Sequence, residues 1–320
     1  MSRRAKLLMV QGTSSGAGKS TVGIGLCRLL SDMGYRVAPF KAQNMSSNFF
    51  ATSDGSRMAR VQAIQAVAAR KAPDTRMNPI LLKPLGEYRS MIFLNGRFYS
   101  EMHAKEYYEK FVLQQGFSLA LKALDSLRRE NDVVVIEGAG SPAEINIAKY
   151  DIANMIFAKK VNAPVILVSD IERGGCFASI LGTMMLLNPS HQRLVKGIII
   201  NKFRGDNTIL FPAIKKIESK ISKPFLGIIP KIDHNIPKED SLDRDSNDNE
   251  IRQGQKERER ERENKNKRTY PQSIKKNDKT NDHQEATDQS DIDIDKEISR
   301  FAEKVESSIN MDHILKKIIG

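Results

Sequence analysis

Short apolar runs, each long enough for one buried strand, recur along the first three quarters of the chain: Leu7 to Val10, Val37 to Pro39, Ile92 to Leu94, Val133 to Ile136, Val165 to Val168, Gly197 to Ile200 and Phe225 to Ile229. They are continuous rather than alternating with polar residues, as strands covered on both faces are. Between them lie stretches with helical spacing, at Ser20 to Met33, Arg57 to Arg70, Ala104 to Arg129, Phe177 to Leu187 and Asn207 to Lys220. The alternation predicts an α/β fold over residues 1–238, a doubly wound, mostly parallel sheet with helices on both faces.

After Pro237 the pattern stops. Asp240 to Ser290 is dominated by Asp, Asn, Glu, Arg, Lys and Gln, too few apolar groups to offset the entropy of ordering. Residues 239–294 are therefore expected to form a disordered charged linker. Helical periodicity returns in residues 295–320, where Ile298, Phe301, Ala302, Val305 and Ile309 share one face. Such a face needs something to pack against.

Composition narrows the function classes. The 320 residues carry a formal charge of +12, but residues 241–300 hold 16 acidic and 14 basic side chains, so the excess lies in the first 240 residues. No basic run is interleaved with aromatics and Trp is absent, which argues against nucleic acid and for a phosphate-rich or multiply carboxylated ligand. Two cysteines, Cys27 and Cys176, are too few for a disulfide framework or a zinc site. No stretch approaches the length of a membrane span, and a cytoplasmic location is expected.

The segment with the sharpest chemistry is Gln11-Gly-Thr-Ser-Ser-Gly-Ala-Gly-Lys-Ser-Thr21, between the first apolar run and the first helical stretch. Strand, glycine-rich turn and helix form a phosphate cradle, with Gly12, Thr13, Gly16, Gly18, Lys19, Ser20 and Thr21 as the nucleotide-binding set. Lys19 supplies positive charge, and the Ser20 hydroxyl is placed for Mg2+. Gly12 lies one residue further from Gly18 than the usual P-loop spacing, and Ser14 stands where partition-type ATPases carry a second lysine. Val133-Val-Val-Ile-Glu137 ends a buried strand on a carboxylate, so Glu137 is expected at the carboxyl edge of the sheet as a second oxygen ligand to Mg2+.

Further motifs, in order, are Pro39-Phe-Lys-Ala-Gln-Asn-Met45, Arg60-Val-Gln-Ala-Ile-Gln-Ala66, Met77-Asn-Pro-Ile-Leu-Leu-Lys-Pro84, Glu137-Gly-Ala-Gly-Ser-Pro-Ala-Glu-Ile-Asn146, Asp151-Ile-Ala-Asn-Met155, Asp170-Ile-Glu-Arg-Gly-Gly175 and Asn201-Lys-Phe-Arg-Gly-Asp206. Together with the P-loop they resemble the successive motifs of the cobyric acid synthase family, across nearly all of residues 7–242. The resemblance implies ATP- and Mg2+-dependent amidation of the peripheral b, d, e and g carboxylates of adenosylcobyrinic acid a,c-diamide, through an acyl phosphate that ammonia displaces. It implies catalytic roles for Lys19, Lys41 and Glu137, with Asn201 at the adenine edge. Gln43, Asn44, Arg60, Gln62, Lys83, Asp151, Asp170 and Arg173 are candidate substrate residues, and each also has an ordinary reading as a helix cap, an ion pair or a solvated side chain.

The chain departs from the family pattern in two places. Arg57 stands where the resemblance leads one to expect a glutamate; were that glutamate a metal ligand, Asp54 would take its place. After Glu239-Asp-Ser-Leu242 the family normally continues into a glutaminase with a cysteine nucleophile. Cys27 and Cys176 instead read as packing residues, so ammonia is expected to come from solution or from a separate glutaminase subunit, and a homodimer is compatible with the sequence. The alternatives are a related carboxylate-amine ligase of the cobyrinate diamide synthase or dethiobiotin synthetase type, and a degenerate, non-catalytic P-loop subunit.

Overall fold

A computed structural model describes residues 4–237 and 282–320. Most of the charged linker expected over 239–294 lies outside the described residues.

The described residues form twelve strands: β1 (Lys6–Gly12), β2 (Val37–Phe40), β3 (Gln43–Met45), β4 (Phe49–Ala51), β5 (Arg57–Ala59), β6 (Ile80–Gly86), β7 (Arg89–Leu94), β8 (Arg97–His103), β9 (Val133–Glu137), β10 (Val165–Asp170), β11 (Val195–Phe203) and β12 (Phe225–Pro230). Six of them form one sheet in the order β12-β11-β10-β1-β9-β2, parallel throughout. Chain order reverses about β1, which opens a crevice at its carboxyl end where α/β sheets gather ligands.

β1 shows why these runs are apolar at every position. Leu7 and Met9 enter a core with Phe40, Ile136, Leu167 and Ile200 on one face of the sheet. Leu8 and Val10 enter a second core on the other face, with Leu26, Val135, Ile166 and Ile199. The helix α1 (Lys19–Asp32) covers this second face, and the remainder of its cover comes from the far end of the chain. The helix Asp282–Glu306 and the residues after it contribute Ile298, Phe301, Ala302, Val305, Ile309 and Ile314 to the same core. Residues 294–320 thus belong to the same compact unit as residues 1–239.

The fit there is close. A Cβ on Gly25 of α1 would lie 3.1 Å from a Val305 methyl, and one on Gly227 of β12 would lie 2.2 Å from the Ser308 carbonyl oxygen. Asn310 N–H donates to the Leu226 carbonyl at 2.7 Å, and the buried Arg28 of α1 pairs with Asp295.

Three expectations change. Ile92–Leu94 is not in the parallel sheet: it belongs to β7 of a separate four-stranded sheet, β3-β6-β7-β8, in which β7 pairs antiparallel on both sides. The helix expected from Arg57 starts at Arg60 as α2 (Arg60–Ala68), because residues 57–59 pair as β5 with β4 in a hairpin. The C-terminal helix starts at Asp282, before the position near Asp295 that its apolar face suggested. The helical stretch 104–130 is present, and its middle, Tyr107–Gly116, winds with wider π-type turns.

Candidate functional site

The P-loop leaves β1 at the topological reversal and runs into α1. Gly16 and Gly18 adopt φ of +71° and +96°, a left-handed backbone that a side chain would strain. A Cβ on Gly18 would also meet the Asn201 amide nitrogen at 2.0 Å. Lys19 is buried, its ammonium held by the carbonyls of Ser14 (3.0 Å) and Gly140 (2.9 Å). Thr21 donates to the Gly18 carbonyl, and the Thr13 hydroxyl lies 3.0 Å from that of Ser169 at the end of β10.

Behind this loop lies a buried polar cluster centred on Glu137, the last residue of β9. One carboxylate oxygen accepts from the Ser20 hydroxyl at 2.8 Å and from the Lys41 ammonium at 2.7 Å. The other accepts from the Gln65 amide at 2.5 Å and, at 3.5 Å, from that of Gln62. Asn44 donates to the Gln62 carbonyl oxygen at 2.8 Å. Lys41 and Glu137 are each only 2% exposed. An ion pair so deeply removed from water is helped by the further hydrogen bonds that both Glu137 oxygens accept, from Ser20 on one and from Gln65 and Gln62 on the other. The arrangement follows from the sequence locally: β9 and β2 are parallel neighbours, so Glu137 and Lys41, just past the ends of the paired segment, emerge side by side. Gln62 and Gln65, three apart on α2, share the face turned toward them.

The donor set suits a hard divalent cation. Ser20 and Glu137 offer two adjacent oxygens, and Mg2+ bound with nucleotide takes its remaining ligands from phosphate and water. Among the described residues there is no group of three or more His, Cys, Asp or Glu side chains that could hold a metal by itself. Asp54 is not gathered in: it sits in the β4–β5 turn with its hydrogen bonds to Thr52 and to the backbone and hydroxyl of Ser56. Those bonds hold its carboxyl below its usual range.

The other candidates divide. Asn201, the candidate for the adenine edge, donates its amide to the Ala17 carbonyl at 3.0 Å and accepts from Lys202 N–H, contacts that tie the end of β11 to the P-loop. Asp170 accepts from Lys202 Nζ at 2.8 Å, and the same ammonium donates to the Gly16 carbonyl at 2.7 Å. Lys202 was not among the sequence candidates, although its motif was; its left-handed φ of +62°, which aims the side chain back at the loop, leaves no mark in the sequence. Gln43 accepts from the Tyr107 hydroxyl at 2.7 Å. Arg60 is exposed at the start of α2, and Arg173 is exposed in the loop before the helix α3 (Cys176–Leu186). Lys83 lies on β6, outside the Glu137 cluster.

Asp151 lines a different cleft, of about 140 Å³, with Ala143, Met155, Leu187 and His191. Burial pushes its carboxyl up to about 6, against hydrogen bonds from Asn154 and Ala153. The unfolded chain ionises this group at a lower pH than the folded one, so its contribution to stability falls as pH rises from about 4 to about 6. Asp151→Asn should therefore gain stability over the parent at pH 7 but not at pH 4, read from denaturant midpoints at the two pH values; an equal shift at both would contradict the assignment. Cys27 and Cys176 are buried, and burial raises both thiols, as expected of packing residues.

Comparisons with known proteins fall on this same region. Residues 8–242 match the profile of the CbiA family, described as the CobQ/CobB/MinD/ParA nucleotide binding domain. A probable cobyric acid synthase of Thermococcus kodakarensis is 52% identical over 237 residues, 74% of this chain and 49% of that one. A cobyric acid synthase of Dehalococcoides mccartyi is 51% identical over 243 residues, 76% of this chain and 48% of that one. The chain thus spans about half the length of the curated relatives it matches. A crystal structure of FtsY from Thermotoga maritima aligns with a TM-score of 0.43 and 18% identity, over 72% of this chain and 63% of that one, a distant likeness. No described helix is long and apolar enough to cross a membrane. With its P-loop and its strand-end glutamate both inside the matched region, this chain belongs to the CbiA family of CobQ/CobB/MinD/ParA nucleotide-binding domains, and its similarity within that family is to cobyric acid synthases.

Proposed function

We propose that the chain is an ATP-dependent carbon–nitrogen ligase of cobalamin biosynthesis that amidates the peripheral b, d, e and g carboxylates of adenosylcobyrinic acid a,c-diamide to give adenosylcobyric acid. The observation that carries this reading is the buried Ser20–Glu137–Lys41 cluster directly behind the P-loop, joined to the similarity with cobyric acid synthases over the same residues.

A carboxylate is a poor electrophile and must first be activated. A substrate carboxylate oxygen attacks the γ-phosphorus of ATP, the bond from that phosphorus to the β,γ-bridging oxygen breaks, and ADP leaves. Ammonia then attacks the acyl carbon, the carbon–nitrogen bond forms, and the carbon–oxygen bond to phosphate breaks; the proton lost from nitrogen passes to phosphate or solvent. Such transfers depend on positioning and charge neutralisation. Lys19, already caged by two carbonyls, would meet the γ-phosphate. Lys41 would turn from Glu137 toward the substrate carboxylate or the transferring phosphoryl group. Ser20 and Glu137 would hold Mg2+, which when bound neutralises phosphate charge. Asn201, Lys202 and Asp170 would keep the loop in its binding shape.

Ammonia would come from solution or from a separate glutaminase subunit. Purified protein with ATP, Mg2+ and the diamide should release phosphate and form amide with ammonium but not with glutamine. No turnover with ammonium, alone or with a glutaminase added, would overturn the reading.

A further inference from the structure

The hairpin of β4 and β5 lies against one face of the four-stranded sheet and brings together side chains of unlike chemistry. Phe49 and Phe93 meet edge to face with ring centroids 5.4 Å apart. The Arg57 guanidinium lies 5.7 Å from the Phe49 centroid and 5.6 Å from that of Phe93, and the Lys83 ammonium lies 5.3 Å from the Phe49 centroid. Phe93 is buried, Phe49 and Lys83 are half-buried, and Arg57 is exposed.

Neither cation makes an ion pair among the described residues. The acids of the same face and hairpin are otherwise engaged: Glu101, level with Lys83 across β7, pairs with Arg89 at 2.7 Å, and Asp54 is held by Thr52 and Ser56. A cation over an exposed ring gains only a modest attraction, and two cations sharing one ring repel each other. A guanidinium laid against aromatic rings also keeps its N–H edge free, with the fork geometry that a carboxylate matches. The patch therefore suits an anion.

Its position gives that anion a context. The β5 strand carrying Arg57 runs directly into α2, whose Gln62 and Gln65 contact Glu137. Lys83 shares its sheet face with Leu81, whose β3 partner is Asn44, and Asn44 bonds Gln62. The platform is thus continuous with the candidate active site by two routes. Arg57 also makes sense as arginine: the position reads aromatic rings rather than the Glu137 cluster.

We propose that Arg57 and Lys83, set on Phe49 and Phe93, bind a peripheral carboxylate of a flat, multiply carboxylated ring, whose apolar edge lies against Phe49 and Met91. This deepens the corrinoid reading and rests on it. The carboxylate held here is an anchor, distinct from the one that reacts beside Lys19 and Lys41.

Equilibrium titration of the full chain with adenosylcobyrinic acid a,c-diamide, followed by corrin absorbance, and in parallel with MgATP tests it. R57E and K83E should each raise the diamide dissociation constant about tenfold or more, with MgATP affinity unchanged. R57K should lose less than R57E, since it keeps the charge but not the fork. A neutral, fully amidated corrinoid should bind more weakly than the diamide and be insensitive to R57E. R57Q, checked for an unchanged unfolding midpoint, separates loss of charge from loss of fold. Variants that bind the diamide as tightly as the parent overturn the platform and leave the amidation reading standing. A parent chain that binds MgATP but not the diamide overturns both.

Discussion

Glu137→Gln should abolish corrinoid-dependent phosphate release, lowering the rate at least about 10²- to 10³-fold, the scale on which single preorganised electrostatic groups act. The substitution keeps the size of the side chain and removes its charge. Glu137 has accepted hydrogen bonds on both oxygens, from Ser20 and Lys41 on one and from Gln65 and Gln62 on the other. An amide has one accepting oxygen and a nitrogen that only donates, so it faces either Ser20 and Lys41 or the two glutamines with the wrong group. The same change removes the carboxylate charge that faces the Lys41 ammonium in a site only 2% exposed, and breaking a buried pair from one side costs about 3–5 kcal/mol. Lys41→Met should destabilise comparably by leaving Glu137 unpaired, whereas the double variant should lose less than the sum of the two. Denaturant midpoints for the four proteins, with phosphate release measured where each is folded, check both halves. A Glu137→Gln protein that turns over within about threefold of the parent would contradict the catalytic assignment.

Removing Ile294–Gly320 should prevent the nucleotide-binding unit from folding. The segment lies some 270 positions from α1 in sequence and forms part of the same core, with Ile298, Val305 and Ile314 fully shielded. Large apolar side chains lost from a core cost about 2–5 kcal/mol each, and several together exceed the ~5–15 kcal/mol by which a domain is stable. The deletion also exposes Leu26, Ile199 and their neighbours on the second face of the sheet, and aggregation is the expected outcome. Gly227→Ala is the finer probe, because its methyl would be driven to 2.2 Å from a backbone oxygen that cannot rotate away; it should cost several kcal/mol, on the order of an overpacked core site. A truncated chain that melts cooperatively within a few degrees of the parent would contradict this.

Much of the fold was legible in the sequence because strands buried on both faces have nothing polar to hide. Leu7 to Val10 and Val133 to Ile136 could hardly be anything else, and the P-loop between β1 and α1 declares itself by its glycines. Glu137 was legible because a charge at the end of such a run must lie at the sheet edge. Ile92–Leu94 was assigned to the wrong sheet for the same reason that it was found: apolarity reports burial, not partners, and β7 is buried between β6 and β8. Arg57–Ala59 was read as helix because its spacing continues that of α2; the hairpin with Phe49–Ala51 overrides it. Helix spacing predicts the apolar face of Ile298, Phe301 and Val305, but what packs there is set by tertiary contact alone: Val305 meets Gly25 of α1, and Ser308 and Ile309, beyond the helix, meet Gly227 of β12. The contacts of Lys202 and Asn201 with the P-loop carbonyls leave no mark in the sequence, because both depend on where the end of β11 lies under the loop.

The central claim, activation of a corrin carboxylate by phosphoryl transfer at Lys19 and Glu137, is tested most directly by following oxygen. The a,c-diamide, labelled with 18O in its remaining carboxylates, is incubated with the protein, ATP, Mg2+ and ammonium, and the phosphate released is examined by mass spectrometry. Acyl phosphate formation predicts one 18O in phosphate for each amide formed. Phosphate released without label would contradict the account.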